Sequence, residues 1–576
     1  MRPVLLALVL IFISQQGFSQ SFSIIDGRAI KLYQEGDELT FSRQYEQALA
    51  KFQAAIQREA SFLEAYHKAA QVLLTMGRLE EAEKMALAGK AKLSGKNSTA
   101  KHVTDFGWFF SNLYLQQGKF TEAYRQFQEV DELFEDGFRR SQYYLQLREK
   151  MDFLGEQLGK ARSVEKEKKL PEPLNQFKLQ YFPVLTADGD QILFTKRDGT
   201  GNFDKEDIYT AFVKADTAWT NPQSIAQSIN STYNEGTCTV TADGNILIYT
   251  SCDAPDSQGS CDLYIAYKVN GAWQRPLNMG SKVNSRAWES QPSLSADGRI
   301  LFFSSNRKGG FGGNDIWYSV RQGDGTWSEA KNLGKMVNTE KDEIAPFIFF
   351  NNEILFFASD GHMGFGGMDI FLSRIEHGDF QKPENLGLPI NDQLDQVALF
   401  ITAKKDYAYY SERFKEEGGQ DRSLIYRFPF PEEIYLGANL TVTEGKVFNA
   451  KTGEPVSATL SLISLSNDST LYQFQSDGKS GEFMMLYPDK SISGLYVEKK
   501  GYLPKIYNVE RDKIKNVTDL QVALTPVASG EEFVFENVFF DFDKYELKPE
   551  SITSLKRLQK FLGENPNVNI LITGHT

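Results

Sequence analysis

The sequence predicts a multidomain protein with all-α helical repeats first, then an all-β propeller, a β-sandwich and finally a partial α/β domain. Residues 181–428 repeat one pattern of turns and short apolar strands five times, and residues 29–161 repeat one helical phrase three times. A stretch of short strands and then a strand–helix–strand pattern follow. At 576 residues the chain is also too long for a single core.

Residues 1–19 have the pattern of a secretory signal peptide. Arg2 supplies the positive charge, Val4 to Ile13 the apolar segment, and Gly17 to Ser19 the small residues of a cleavage site. We therefore expect a mature chain that begins at Gln20 and is exported to the periplasm. No apolar run reaches the roughly 18 residues that a membrane span requires.

Residues 26–163 are expected to form helical repeats. The same phrase begins at Arg43, Gly77 and Gly118, and each copy places an alanine where one helix must approach the next. This phrase resembles the tetratricopeptide repeat, which implies a groove that holds a peptide or helix of a partner protein. An inert helical spacer is the alternative.

Residues 172–430 are expected to form a β-propeller. Turns recur about every 54 residues, and each precedes an apolar strand, a glycine-rich loop and a second strand. These turns begin at Asp188, Asp243, Asp297, Asn351 and Lys405. Because a lone sheet cannot bury both faces, the sheets should stack around an axis and close a ring. Five copies predict five blades, with six possible, and the segment Leu174 to Leu179 is expected to supply the outer strand that the fifth copy lacks.

The repeat has a family resemblance and a pair of cysteines. Segments such as Pro292–Gly298 and Gly312–Ile316 resemble the TolB-like propeller repeat of bacterial envelope proteins. Cys252 and Cys261 bracket a loop between two neighbouring strands, which predicts a disulfide in an oxidising compartment. Two reduced thiols are the alternative, and Cys238 is expected to be a buried apolar residue.

Residues 438–527 are expected to form short strands. The segments Gly445–Val456, Ser480–Phe483 and Lys500–Tyr502 resemble the carboxypeptidase regulatory domain. That resemblance implies a small transthyretin-like β-sandwich that has no catalytic residues of its own.

Residues 531–576 suggest a strand, a helix from Pro549 to Gly563, and a second strand from Val568 to Ile572. The helix is expected to have one apolar face, formed by Ile552, Leu555, Leu558 and Leu562. The segments Phe540–Tyr545 and Gly574–Thr576 resemble the signature segments of the OmpA-like peptidoglycan-binding domain. The resemblance implies a pocket for the diaminopimelate of the stem peptide.

The residues of this chain that match the binding site of the family are Phe542, Asp543, Lys544, His575 and Thr576. In the family, an aspartate after the second segment and an arginine on the next helix bind the ligand carboxylate. Both positions would lie beyond Thr576, so the domain is expected to be truncated and its site incomplete.

Composition and motifs indicate what the chain is not expected to bind or catalyse. The net charge of -13 argues against nucleic acid and anionic lipid as partners. The five histidines lack metal-ligand spacing, and no Gly-x-Ser-x-Gly segment occurs. The loop Asp198–Asp204 lacks two key residues of a calcium loop. We therefore expect no enzyme activity, no metal and no cofactor.

The order of domains resembles that of the PorE-like OmpA-family envelope proteins of Bacteroidetes. This resemblance implies a non-enzymatic periplasmic scaffold that tethers an outer-membrane-associated type IX secretion complex to peptidoglycan. The expected partners are peptidoglycan and envelope or secretion-complex proteins. A general OmpA-like stabiliser of the cell envelope is the alternative, and a propeller hydrolase is a third.

Overall fold

The computed structural model of the protein describes residues 22–94, 98–160, 168–199, 201, 204–215, 218–269, 271–322, 325–416, 419–434, 436, 440–465, 469–488, 493–509, 519–528, 538 and 546–571. The chain divides into two compact units. The helical unit runs to Arg162 and includes the short segments 363–367 and 387–394, and the β unit contains the remainder. Both the predicted signal peptide and the five predicted peptidoglycan-binding residues lie outside the described residues.

The helical unit consists of consecutive helices that pack in pairs. They are α1 (Gly27–Phe41), α2 (Tyr45–Arg58), α3 (Leu63–Thr75), α4 (Leu79–Lys90), α5 (Ala100–Gln116), α6 (Phe120–Val130), α7 (Asp136–Arg139) and α8 (Gln142–Gly159). The three repeated alanines, Ala48, Ala82 and Ala123, are fully buried. Gly107 of α5 lies at another close contact between helices, because a Cβ at this position would lie 2.3 Å from Val130 Cγ1 of α6. None of the described helices combines the length and apolarity that a membrane-spanning segment requires.

The described part of the β unit contains thirty short strands. The first group is β1 (Lys168–Lys169), β2 (Leu179–Leu185), β3 (Gln191–Arg197), β4 (Glu206–Ala215), β5 (Ala218–Trp219), β6 (Gln223–Ser224), β7 (Asn234–Val240), β8 (Ile246–Cys252), β9 (Cys261–Val269), β10 (Ala272–Trp273), β11 (Leu277–Asn278), β12 (Glu289–Leu294), β13 (Ile300–Ser305), β14 (Asp315–Val320), β15 (Lys331–Asn332), β16 (Glu343–Ile348), β17 (Ile354–Ser359), β18 (Asp369–Glu376), β19 (Asp379–Phe380), β20 (Glu384–Asn385), β21 (Gln396–Ile401), β22 (Tyr407–Lys415) and β23 (Asp421–Pro429). The second group is β24 (Leu440–Asn449), β25 (Thr459–Ser464), β26 (Thr470–Gln475), β27 (Glu482–Pro488), β28 (Ser493–Glu498), β29 (Lys505–Asn508) and β30 (Asp519–Leu524).

The first group has a propeller-like arrangement. The second, third and fourth sequence repeats each make one antiparallel sheet, and the first and fifth repeats share a nine-stranded sheet through the parallel pairing of β2 with β23. We call the antiparallel strands of one repeat a blade, and the first strand of each blade is innermost. The five inner strands are β2, β7, β12, β16 and β21. Each inner strand contacts the next, and β21 contacts β2, so the series returns to its start. A helical N-terminal region followed by a large propeller-like β region is therefore the coarse fold.

The segment that completes the fifth blade differs from the prediction. The outer strand is β1, in which Lys168 pairs with Arg427, whereas Leu174–Gln176 forms a 3-10 turn. The Asn175 side chain, which is 1% exposed, donates to the carbonyl of Ile425 and accepts from its N–H. An asparagine that bonds to both backbone groups of a strand residue takes the place of a strand there, which explains why Leu174–Gln176 is not the predicted strand. Leu179, at the end of the predicted segment, does pair with Ser423 of β23.

The second group forms two further sheets. One has the order β27-β24-β30, and the other has the order β26-β25-β28-β29. Parallel pairing of β24 with β30 joins the start of this region to its end. The sheets bury Tyr487 and Tyr496 completely.

The C-terminal helix α9 (Pro549–Glu564) forms as predicted, and its buried face overlaps the predicted one in part. Of the predicted face, Leu558 is buried and Leu562 packs against the same cluster. Ile552 is 49% exposed, whereas Ser551, Ser554 and Phe561 are buried. The Ser554 hydroxyl hydrogen-bonds to the Tyr496 hydroxyl at 2.7 Å, so a polar contact outweighs the apolar pattern.

The predicted second strand is also wrong as far as the structure describes it. Residues 568–571 carry no strand, and Leu571 is 90% exposed. The predicted first strand of this region, Val534 to Asp541, falls almost wholly on residues that the structure does not describe.

Candidate functional site

The predicted disulfide lies between two strands of the second blade. Cys252 of β8 pairs with Cys261 of β9, and their sulfur atoms are 1.97 Å apart. Cys238 is a free, buried cysteine, and burial raises the pKa of its thiol to about 12. A thiol with such a pKa stays protonated near neutral pH and is a poor nucleophile.

A repeated polar framework holds the blades together. The side chains of Asn284 and Asn338 each bond to both the N–H and the carbonyl of one strand residue, Leu263 and Ile316 respectively. Asparagine suits this position because its side-chain amide both donates and accepts. Asn284 and Asn338, which are 54 residues apart, therefore have a structural role that recurs with the repeat period.

Three buried glutamates occupy one position at the start of β7, β12 and β16: Glu235, Glu289 and Glu343. Each accepts hydrogen bonds from a serine or threonine that precedes it, and Glu343 accepts from the Thr339 N–H and hydroxyl at 2.7 Å. Burial raises the pKa of Glu235 and of Glu343. These groups point into the blade framework, so their shifted pKa values have a structural cause.

An axial cavity of about 50 Å³ lies among the inner strands. Every inner strand has a bulge beside it, where one residue has positive φ. These residues are Phe182 (54°), Thr237 (26°), Gln291 (55°), Ala345 (51°) and Ala398 (59°). The bulges are joined across blades, since the Gln291 side chain accepts from the Ala345 N–H at 2.9 Å.

The axial cavity is lined by apolar, hydroxyl, thiol and amide side chains. Phe347 and Phe400 close part of it, with ring centroids 4.9 Å apart. None of the residues that line the cavity is an aspartate or a glutamate. Among the described residues no three His, Cys, Asp or Glu side chains lie close enough to hold a metal ion.

The helical unit contains a larger opening of 530 Å³. Its floor is α3, and its walls are α2 and α4, which both pack on α3. The apolar lining consists of Ile56, Tyr66, Leu73, Met85 and Ala88, and the polar lining consists of Gln53, Gln57, Glu81 and Lys84. We call this the helical groove. Its volume is that of a ligand-binding pocket.

The predicted peptidoglycan site cannot be placed beside these features. Phe542, Asp543, Lys544, His575 and Thr576 all lie outside the described residues. Sequence reasoning did predict a groove in the helical repeats, but it did not identify the residues that line it. It gave no indication of the axial cavity.

No family model matches the chain, and no curated protein matches it. Solved structures that are similar include a thermostable family-43 glycoside hydrolase, with 12% identity, coverage of 46% of this chain and 94% of that one, and a TM-score of 0.33. An α-L-arabinanase of Penicillium chrysogenum has 10% identity, coverage of 46% and 99%, and a TM-score of 0.31. A sialidase of Trypanosoma rangeli has 9% identity, coverage of 60% and 88%, and a TM-score of 0.29.

These comparisons correct two expectations. The similar structures are glycoside hydrolases and sialidases, so the expectations of a non-enzymatic periplasmic scaffold for type IX secretion and of no enzyme activity are wrong by this finding. The physical reason is that function depends on the chemistry of a specific site, which the order of domains along the chain does not determine. At these TM-scores the activities stay with the matched proteins, and none is transferred to this chain.

Proposed function

We propose that the helical unit binds an amphipathic helical segment of a partner protein in the helical groove. The observation that carries this proposal is the 530 Å³ opening with an apolar floor and a polar rim. Apolar grooves of this kind accept one face of a helix, whose apolar residues recur three and four positions apart.

The groove walls set the chemistry of the segment. Met85 is half-buried and unbranched, so it can adjust to apolar side chains of different shape. On α4, the Glu81 carboxylate is paired with Arg78 at 2.6 Å, and Lys84 is exposed beside it. The rim on α2 consists of the neutral amides Gln53 and Gln57. A segment with an acidic residue facing Lys84 therefore fits this rim best.

The test uses the intact chain as bait for a random library of displayed 15-residue peptides. Enriched peptides should carry apolar residues at helical spacing, and their affinity is then measured against two variants. Ala88→Trp fills the groove and should weaken binding about tenfold or more. Leu87→Trp is the matched control, because Leu87 is exposed on the same helix but does not line the groove. Equal binding by both variants, or no enriched peptide, contradicts the proposal.

The finer fold assignment is also a proposal. We infer a five-bladed TolB-like propeller, a carboxypeptidase regulatory-like sandwich and a partial OmpA-like domain. The cyclic contacts of the inner strands support the first, and the pairing of β24 with β27 and β30 supports the second. The helix α9 supports the third.

Export to the periplasm and recognition of peptidoglycan remain predictions from the sequence. The Cys252–Cys261 disulfide supports the first, since disulfides persist in oxidising compartments. N-terminal sequencing of the protein from its native host tests it, and a mature chain that keeps residues 1–19 would contradict export.

A further inference from the structure

Two glycine-rich loops of the chain share one sequence pattern, 54 residues apart. Gly310–Asp315 reads Gly-Phe-Gly-Gly-Asn-Asp, and Gly364–Asp369 reads Gly-Phe-Gly-Gly-Met-Asp. A Cβ at Gly312 would lie 1.8 Å from a carbonyl oxygen of the loop that leads to the next blade. At Gly366 the equivalent separation would be 2.3 Å. Only glycine allows so close an approach. Both loops therefore hold their phenylalanine next to a glycine that packs directly against the backbone of the following loop.

The helical unit shows what one of these phenylalanines contacts. Phe365 is 5% exposed and belongs to the second core cluster of that unit. Its ring centroid lies 5.0 Å from that of Phe120 on α6 and 5.1 Å from that of Phe153 on α8. Lys150 of α8 donates through Nζ to the carbonyl oxygens of Gly364 and Phe365. The binding site of this loop is thus a socket of two aromatic rings between two helices, with a lysine at its edge.

The other phenylalanine is exposed. Phe311, in the third blade, is 40% exposed. Lys335 Nζ lies 5.6 Å from the centroid of the Phe311 ring. Met336, which follows Lys335 in the chain, is 50% exposed. We call the exposed pair of Phe311 and Lys335 on the surface of the β unit the Phe311 patch.

The loop that carries Phe311 is fixed before any partner arrives. The N–H groups of Phe311 and Gly312 donate to the two carboxylate oxygens of Asp315, at 2.6 and 2.9 Å. Asn332 also donates to this carboxylate, at 2.7 Å. A side chain on a rigid loop loses little conformational entropy when it binds, which favours a docking role.

We propose that the Phe311 patch docks a helical hairpin of another protein, which presents an aromatic socket and a lysine of the kind that Phe365 occupies within the helical unit. The Phe311 ring enters the socket, and the lysine of the partner bonds to the loop carbonyls. A second copy of this chain does not fit the role, because Phe365 already fills the socket of every copy.

The experiment places the photoreactive amino acid p-benzoylphenylalanine at position 311 of the full-length chain in its native host. The matched control carries the same amino acid at position 212, because Phe212 is an equally exposed phenylalanine of the β unit, at 47%, outside the glycine-rich loops. After irradiation, crosslinked peptides are identified by mass spectrometry. The expected result is a crosslink at least about fivefold stronger from position 311, to a segment that is helical in the partner and carries an aromatic residue.

Three outcomes overturn the proposal: equal labelling from both positions, crosslinks to lipid or glycan, and crosslinks to a segment of a partner that is not helical. A second measurement separates a loss of binding from a loss of the fold. The Phe311→Ala chain should keep the melting temperature of the unmodified chain and lose at least about tenfold in affinity for the purified partner. An unchanged affinity would show that the Phe311 side chain lies near the partner without contributing to binding, and it would also overturn the proposal.

Discussion

At the scale of residues, the buried glutamates of the blades differ in the groups that compensate the charge of their carboxylates. Glu289 is fully buried and lies 3.1 Å from Arg307, whose side chain is 12% exposed. Glu343 accepts hydrogen bonds only from neutral groups among its nearest donors: the Thr339 N–H, the Thr339 hydroxyl and the Ser359 hydroxyl. Two residues at the same position of the repeat therefore respond differently to the loss of charge.

Replacing these glutamates with glutamine tests this difference. Glu289→Gln leaves the Arg307 charge buried without its partner and should cost about 3 to 5 kcal/mol of unfolding free energy. Glu343→Gln should cost clearly less, because Gln396 occupies the equivalent position in the fifth blade. Urea denaturation of both variants at neutral pH measures the two costs, and equal costs would contradict the prediction.

The pH dependence of Glu343→Gln follows from the raised pKa of Glu343, which burial causes. A raised pKa in the folded state means that this group stabilises the fold below its unfolded pKa and loses that contribution as the pH rises through the folded pKa. The unfolding free energy of Glu343→Gln, relative to the unmodified chain, should therefore rise as the pH increases from about 4.5 through the raised pKa of the folded state. Denaturation at several pH values measures this trend, and a flat or falling difference would refute the assignment.

The bulges beside the axial cavity make a second residue-scale prediction. Ala345 has a φ of 51°, a conformation that disfavours every residue with a Cβ. Ala345→Gly relieves that strain, whereas Ala358→Gly, in the regular part of β17, does not. Both substitutions remove a buried methyl group. Ala345→Gly should therefore cost at least about 1 kcal/mol less than Ala358→Gly in denaturation experiments. An equal or larger cost would show that the bulge is not strained.

At the scale of elements, Asn175 closes the fifth blade. Asn175→Ala removes both hydrogen bonds to Ile425 and leaves its buried N–H without a partner, whereas its carbonyl still accepts from the Leu170 N–H. The loss should cost about 1 to 3 kcal/mol. Gln176→Ala is the control, since Gln176 is exposed next to it. Thermal denaturation compares the two variants. A melting temperature of Asn175→Ala equal to that of the control would show that closure depends on β1 alone.

The same element shows how far the sequence could predict the fold. The repeat period located the blades, because turns and apolar strands recur in every copy. It could not show that Leu174–Gln176 is a turn, since an asparagine that replaces a strand contact leaves no hydrophobic pattern. The burial of Ser554 on α9 was missed for a similar reason, because a hydrogen bond and not apolarity holds this side chain in the interior. The residues that line the helical groove could not be identified from the sequence. Ala88 and Leu87 are adjacent apolar residues of α4, and only the positions of the neighbouring helices show that Ala88 lines the groove and Leu87 does not.

At the scale of the whole molecule, the two compact units should unfold as separable transitions. Five of the six tryptophans, all except Trp108, lie in the β unit, so tryptophan fluorescence follows mainly that unit. Far-ultraviolet circular dichroism follows mainly the helical unit, since most described helices lie there. The two signals together assign any loss of stability to one unit.

Two substitutions test this separation. Replacing both Cys252 and Cys261 with serine removes a cross-link between residues nine positions apart and should destabilise the β unit by about 2 to 3 kcal/mol. Gly107→Ala brings a Cβ to 2.3 Å from Val130 Cγ1 and should destabilise the helical unit. Thermal unfolding should show the first change mainly by fluorescence and the second mainly by circular dichroism. If each substitution shifts both signals equally, the chain unfolds as one cooperative body, because a loss in either unit is then shared by the whole.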